Sequence, residues 1–110
     1  MNTMLLIHGF LDDVHVWDDL VSELPHDVDV IRYQLPGFGT RAGDVPAELT
    51  LTALAAEAGR LLDDVDSDVI VVGQSLGTQV AELVAAAHAG KVTGLVLITP
   101  VPLGGTRLPE

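Results

Sequence analysis

The chain has 110 residues, 48% of them hydrophobic, with sixteen acidic against five basic residues and a net charge of −11 at neutral pH. That length buries the core of one domain and excludes two, while the charge repels phosphate backbones and anionic lipid headgroups and so excludes nucleic acid as a natural partner. There is no Cys, which removes disulfides, thiolate metal sites and a Cys nucleophile.

Residues 3–7 form a short, continuous apolar run ending at His8-Gly9, the pattern of a strand covered on both faces. No basic region precedes it, and it is too short for a signal peptide or, like every other apolar run here, for the roughly 18 residues of a membrane span. A soluble cytoplasmic protein is the expectation. Residues 16–24 carry apolar side chains at 16, 17, 20, 21 and 24, a helical spacing that Pro25 stops. Residues 28–33 read as a second strand, closed by the turn cluster Pro36-Gly37-Phe38-Gly39. A loop over 40–48, with Gly43 and Pro46, leads to residues 50–62, whose Ala and Leu at helical spacing predict a second helix with Thr50 or Thr52 as N-cap. Residues 69–72 are the third strand, 76–89 a third helix closed by Gly90, and 95–98 the fourth strand; 100–110 show no periodicity. The order βαβαβαβ predicts an α/β class, about four parallel strands joined by right-handed crossovers with helices on both faces.

Gly73-Gln74-Ser75-Leu76-Gly77 falls between the third strand and the third helix and matches G-x-S-x-G in the strand-turn-helix context that motif requires. A Ser at the apex of a sharp turn takes a strained backbone, so the residues two away must be small. Gly73 and Gly77 meet that demand. The turn sets the hydroxyl at a helix N-terminus, where N–H groups and the macrodipole favour developing negative charge. The plainer alternative is Ser75 as an N-cap in a turn that merely needs its glycines.

With these motifs the sequence resembles the α/β-hydrolase superfamily, in its serine hydrolase and esterase branch, over nearly all of its length. Leu5-Leu6-Ile7-His8-Gly9-Phe10 is similar to the family's strand and oxyanion loop, and Tyr33-Gln34-Leu35-Pro36-Gly37-Phe38-Gly39 to its D-x-P-G-x-G loop. The resemblance implies Ser75 as nucleophile and the backbone N–H groups of Phe10 and Leu76 as the oxyanion hole. It implies that His8 shapes its loop by hydrogen bonding, and that the first strand lies between the second and third. Two positions depart from the pattern: Gln34 stands where Asp is usual, and Arg41 where Ser is common. A small ester-like molecule is the substrate class implied, with no cofactor, metal or membrane.

Other residues carry weaker signals. Trp17 falls on the apolar stripe of the first helix and reads as core, while His15 and His26 near helix ends read as solvated. Asp63, Asp64, Asp66 and Asp68 lack the spacing and bidentate Glu of a calcium loop and read as a solvated turn. Residues 37–42 fit G-x-G-x-x-A, yet Gly43 and Pro46 prevent the helix a dinucleotide site needs next.

A serine triad also needs a carboxylate and a His, which in this family follow the nucleophile. After Ser75 there are one His, His88, and two acidic residues, Glu82 and Glu110. His88 lies thirteen residues along the same helix, about 20 Å from Ser75 at ~1.5 Å per residue. The expectation is an N-terminal part of an α/β-hydrolase domain, with the cap and the acid and His region absent and catalysis missing from the isolated chain. The alternative is a non-catalytic binding module.

Overall fold

Four strands alternate with three helices in a computed structural model that describes residues 2–9, 12–43 and 50–100. The strands are β1 (Asn2–Ile7), β2 (Asp29–Tyr33), β3 (Asp68–Gln74) and β4 (Val92–Ile98), and the helices α1 (Asp18–Ser22), α2 (Leu51–Arg60) and α3 (Leu76–Ala87). All pairings are parallel and the sheet order is β2-β1-β3-β4. The first strand is therefore central, flanked by the second and third. Chain connections leave β1 toward β2 on one side and β3 toward β4 on the other, which makes the carboxyl ends of β1 and β3 the switch point where open α/β sheets bind ligands.

Side-chain alternation divides the core into two layers. Leu5, Ile7, Val69 and Val71 face α2 and α3, packing with Leu54, Ala58, Val80 and Val84 in the larger cluster. Leu6 and Val72 face the other way, toward Trp17, with Met4, Val30 and Ile70 around them. Helices thus cover both faces. Trp17 is 4% exposed, and its indole N–H has no acceptor among the described residues.

The first helix departs from its sequence pattern. A 3₁₀ turn, Val14–Trp17, opens it, with Asp13 accepting from the His15 N–H, and α1 then spans only five residues. Glu23 and Leu24 N–H groups bond three residues back, tightening the end before Pro25, so Val16 and Leu20 stay more than a third exposed. β3 runs past its apolar core because Gly73 and Gln74 still pair with Leu97 and Ile98, and β4 begins before its own because Val92 and Gly94 pair with Val69 and Ile70. At the start of β4 a register shift leaves Thr93 opposite no residue, since Val69 pairs with Val92 and Ile70 with Gly94. Thr50 caps α2 by accepting from the Ala53 N–H at 3.0 Å. α3 stops at Ala87, because His88 leaves the helical region (φ −124°, ψ 41°) and its carbonyl takes the N–H groups of Lys91 and Val92.

Candidate active site

Ser75 stands at the turn from β3 into α3 with φ 53° and ψ −119°, a left-handed conformation that costs a non-glycine residue roughly 1–3 kcal/mol. Its side chain caps nothing, which removes the N-cap alternative, and its hydroxyl has no hydrogen-bond partner among the described residues. The backbone supplies the restraint: the Ser75 N–H donates to the Ile98 carbonyl at 3.0 Å, and its carbonyl accepts from the Thr78 N–H at 2.9 Å and hydroxyl at 2.6 Å. The flanking glycines are sterically required. A Cβ on Gly73 would strike the backbone of Gly77, and one on Gly77 would lie 2.6 Å from the His8 carbonyl oxygen and closer still to that of Ile7. So α3 can start directly against the ends of β1 and β3 only with glycine at both places. A Cβ on Gly9 would come within 3.0 Å of the Ser75 Cβ, which puts the loop after β1 in contact with the Ser75 side chain.

Leu76 opens α3, and as the first helical residue it has an N–H that no carbonyl within the helix can accept. Phe10, the other donor expected for an oxyanion hole, lies outside the described residues, as do residues 101–110.

His8 is fully buried and both of its ring nitrogens are engaged. The Leu35 N–H donates to Nε2 at 3.0 Å, which fixes the lone pair there; the proton then resides on Nδ1, which donates to the Gly9 carbonyl at 2.8 Å. Phe38 meets the ring edge-on at 6.3 Å. Held this way, His8 has no nitrogen free for acid-base work.

The two positions that depart from the family loop belong to one network. Gln34 Nε2 donates to His8 Nε2 at 2.9 Å while its Oε1 accepts from the Val14 N–H at 3.2 Å. Arg41 donates to the Gln34 carbonyl at 3.0 Å and to both Glu57 oxygens, at 2.5 and 3.2 Å. Tyr33 donates to Glu57 at 2.6 Å. The Arg41 guanidinium holds the Glu57 carboxyl below its ordinary pKa, and burial, aided by the bond to Glu57, pushes the Tyr33 phenol above its own. Sequence reasoning sees Gln34 and Arg41 only as departures; their polar type after a strand is a signal, but the partners come from 26 and 16 residues away.

The remaining histidines lie elsewhere. His15 is exposed against Asp18 at 3.2 Å, and His26 is exposed. His88 caps the far end of α3, where Nδ1 donates to the Val84 carbonyl at 3.1 Å and the ring closes on Gly59. It borders an apolar cavity of about 440 Å³ between α2 and α3, not the Ser75 turn.

Comparison with known proteins agrees with this architecture. A family model described as the alpha/beta hydrolase family matches residues 4–110. The chain is 37% identical over 111 residues to the lipase LipV of Mycobacterium tuberculosis, covering 97% of this chain and 41% of that protein. It is 32% identical over 102 residues to a pimeloyl-[acyl-carrier protein] methyl ester esterase of Edwardsiella ictaluri, covering 90% and 36%. Among solved structures, a thermophilic esterase from Thermogutta terrifontis superimposes with a TM-score of 0.77 at 29% identity, over 88% of this chain and 36% of that one. The chain spans about two-fifths of the length of the curated relatives it matches.

Proposed function

This chain belongs to the alpha/beta hydrolase family, and from that premise we propose that it is the nucleophile-bearing part of a serine hydrolase acting on carboxylic esters. The observation that carries the reading is Ser75 itself: a non-glycine residue at φ 53° between β3 and α3, its side chain unspent on capping, with Gly9 packed against its Cβ. A nucleophile presented at a helix N-terminus gains from such a strained turn.

In this reading Ser75 Oγ attacks the ester carbonyl carbon and the carbonyl oxygen takes the negative charge. Backbone N–H groups of Leu76 and Phe10 donate to that oxygen, at a point where the macrodipole of α3 adds to them. Collapse of the tetrahedral species expels the alcohol and leaves an acyl group on Ser75, which water then removes. The proton from Oγ needs a base held by a carboxylate. With His8 locked and His88 about 20 Å along α3, both groups belong to sequence beyond these 110 residues, in keeping with relatives more than twice as long. The substrate class is supported by relatives described as a lipase and as a methyl ester esterase.

The test is covalent labelling of the protein expressed from its complete reading frame. A fluorophosphonate probe is expected to attach to Ser75, with labelling and p-nitrophenyl ester hydrolysis both lost in Ser75→Ala. Labelling that persists unchanged in Ser75→Ala overturns the assignment, and a protein that neither labels nor hydrolyses esters is the binding module instead.

A further inference from the structure

We infer that Thr78 is a positioning residue for the Leu76 N–H donor, acting through the Ser75 carbonyl; the inference rests on the proposed acyl-transfer reading. A peptide unit is planar, so the Ser75 carbonyl and the Leu76 N–H point in opposite directions from one rigid plate. Whatever holds that carbonyl therefore aims that N–H. Two donors hold it, and both belong to Thr78: the backbone N–H at 2.9 Å and the side-chain hydroxyl at 2.6 Å.

The hydroxyl adds what the backbone bond by itself does not. A carbonyl oxygen has two lone pairs, and a single donor leaves the plate free to rock about that one bond. A second donor, on a side chain that is fully buried, restrains the rocking. Hydrogen bonds in series also polarise one another, by roughly 10–30% per bond. Each donor on the Ser75 oxygen draws electron density from the Leu76 nitrogen and strengthens its N–H toward a developing oxyanion. The Thr78 N–H does this once, and the hydroxyl does it again.

A threonine inside a helix commonly returns its hydroxyl to a carbonyl three or four residues back, and what matters here is whose carbonyl that is. In α3 it belongs to Ser75, the residue held at φ 53°. The turn around it is packed without slack. A Cβ on Gly73 would lie 2.8 Å from Thr78 Cα, and one on Gly77 would lie 2.6 Å from the His8 carbonyl oxygen, so Thr78 is held against the ends of β1 and β3. Alanine at this position would keep the backbone bond and has the higher helix propensity. The helix therefore has no need of the hydroxyl, whereas the Ser75–Leu76 peptide is held and polarised by it.

Thr78→Val, Thr78→Ala and Thr78→Ser test this in the protein expressed from its complete reading frame. The first two remove the hydroxyl, and Thr78→Ser keeps it while losing the methyl. Active sites are titrated with the fluorophosphonate. In Thr78→Val and Thr78→Ala, kcat per titrated Ser75 is expected to fall about twofold to tenfold, a fraction of the roughly 10²–10³ that outright loss of an oxyanion donor costs. KM is expected to change less than about twofold. Affinity for an alkylboronic acid, which adds to Ser75 Oγ as a tetrahedral anion, is expected to fall by the same factor as kcat, and Thr78→Ser is expected to keep both near wild type. Where Thr78→Val fails to fold, Thr78→Ala decides. A purely structural role would lower the fraction of titratable sites and leave kcat per site alone. That result, an equal loss in Thr78→Ser, or a fall in kcat with unchanged boronic acid affinity overturns the role of Thr78. If Ser75→Ala still abolishes labelling, the role of Ser75 stands; labelling that survives Ser75→Ala overturns the acyl-transfer reading itself.

Discussion

Tyr33 is the single tyrosine of the sequence, buried to 3% exposure, and it donates to a carboxylate that Arg41 keeps ionised. Ionising the phenol would desolvate a charge and set it beside Glu57, so its pKa is raised from 10.0. The sign follows from linkage: an acid whose folded pKa is raised contributes stability that is intact below its unfolded value and is lost as pH climbs from about 10 toward the raised value. Tyr33→Phe removes this titration. At neutral pH the variant is expected to be less stable by roughly 1–2 kcal/mol for the lost hydrogen bond to a charged group. Followed by thermal melting from pH 7 to 11, the gap between wild type and Tyr33→Phe should close above pH 10, and a gap constant across that range contradicts the account. At the same scale, Ser75, Gly73 and Gly77 are legible in the sequence alone, because the demand for small residues around a strained apex is local. The roles of Gln34, Arg41 and Glu57 are not, since each depends on a partner from another element.

Among the elements, β4 is the one that presents an apolar edge. Its run 95–98 is apolar on both faces and reads as expecting a further strand beside it; it forms the sheet edge, and Leu95, Val96 and Ile98 are 40%, 45% and 40% exposed. No charge or Pro interrupts Val92–Ile98, whereas β2 at the opposite edge carries Asp29 and Arg32. An unprotected apolar edge pairs with other chains. The purified 110-residue chain is therefore expected to associate in sedimentation velocity runs as its concentration rises, despite its net charge, and Val96→Lys is expected to return it toward monomer. A wild-type chain that stays monomeric and compact at high concentration would show the edge to be harmless.

For the molecule as a whole, the sheet brings together the residues of one half of the acyl-transfer site proposed above. β1, β3 and α3 bring together Gly9, Ser75 and the first N–H groups of α3, while the four histidines of the sequence are latched, solvent-facing or at the far end of α3. Without a base the Ser75 hydroxyl is scarcely ionised at neutral pH, and what remains in triad enzymes stripped of their triad is about 10³–10⁴ over water. The 110-residue chain alone is expected to give no acyl-enzyme burst with p-nitrophenyl esters. A burst from the purified chain that disappears in Ser75→Ala would mean that His8, His15 or His26 reaches the hydroxyl in solution.

Sequence by itself determined the succession of strands and helices, a threonine cap at 50 or 52 for the second helix, the glycine-flanked turn at Ser75 and membership of the α/β class, because hydrophobic period, capping and turn chemistry act over a few residues. It did not determine that α1 shrinks to five residues or that β3 and β4 extend past their apolar cores, since backbone pairing continues wherever a neighbouring strand is present. Only the tertiary structure decided the sheet order with β1 between β2 and β3 and the hydrogen bonds from Gln34 through His8 to Gly9. Those rest on hydrogen bonds between residues such as Gln34 and His8, 26 apart, or Thr3 and Ser67, 64 apart, and no local pattern in a chain records which distant groups its folding will bring within 3 Å.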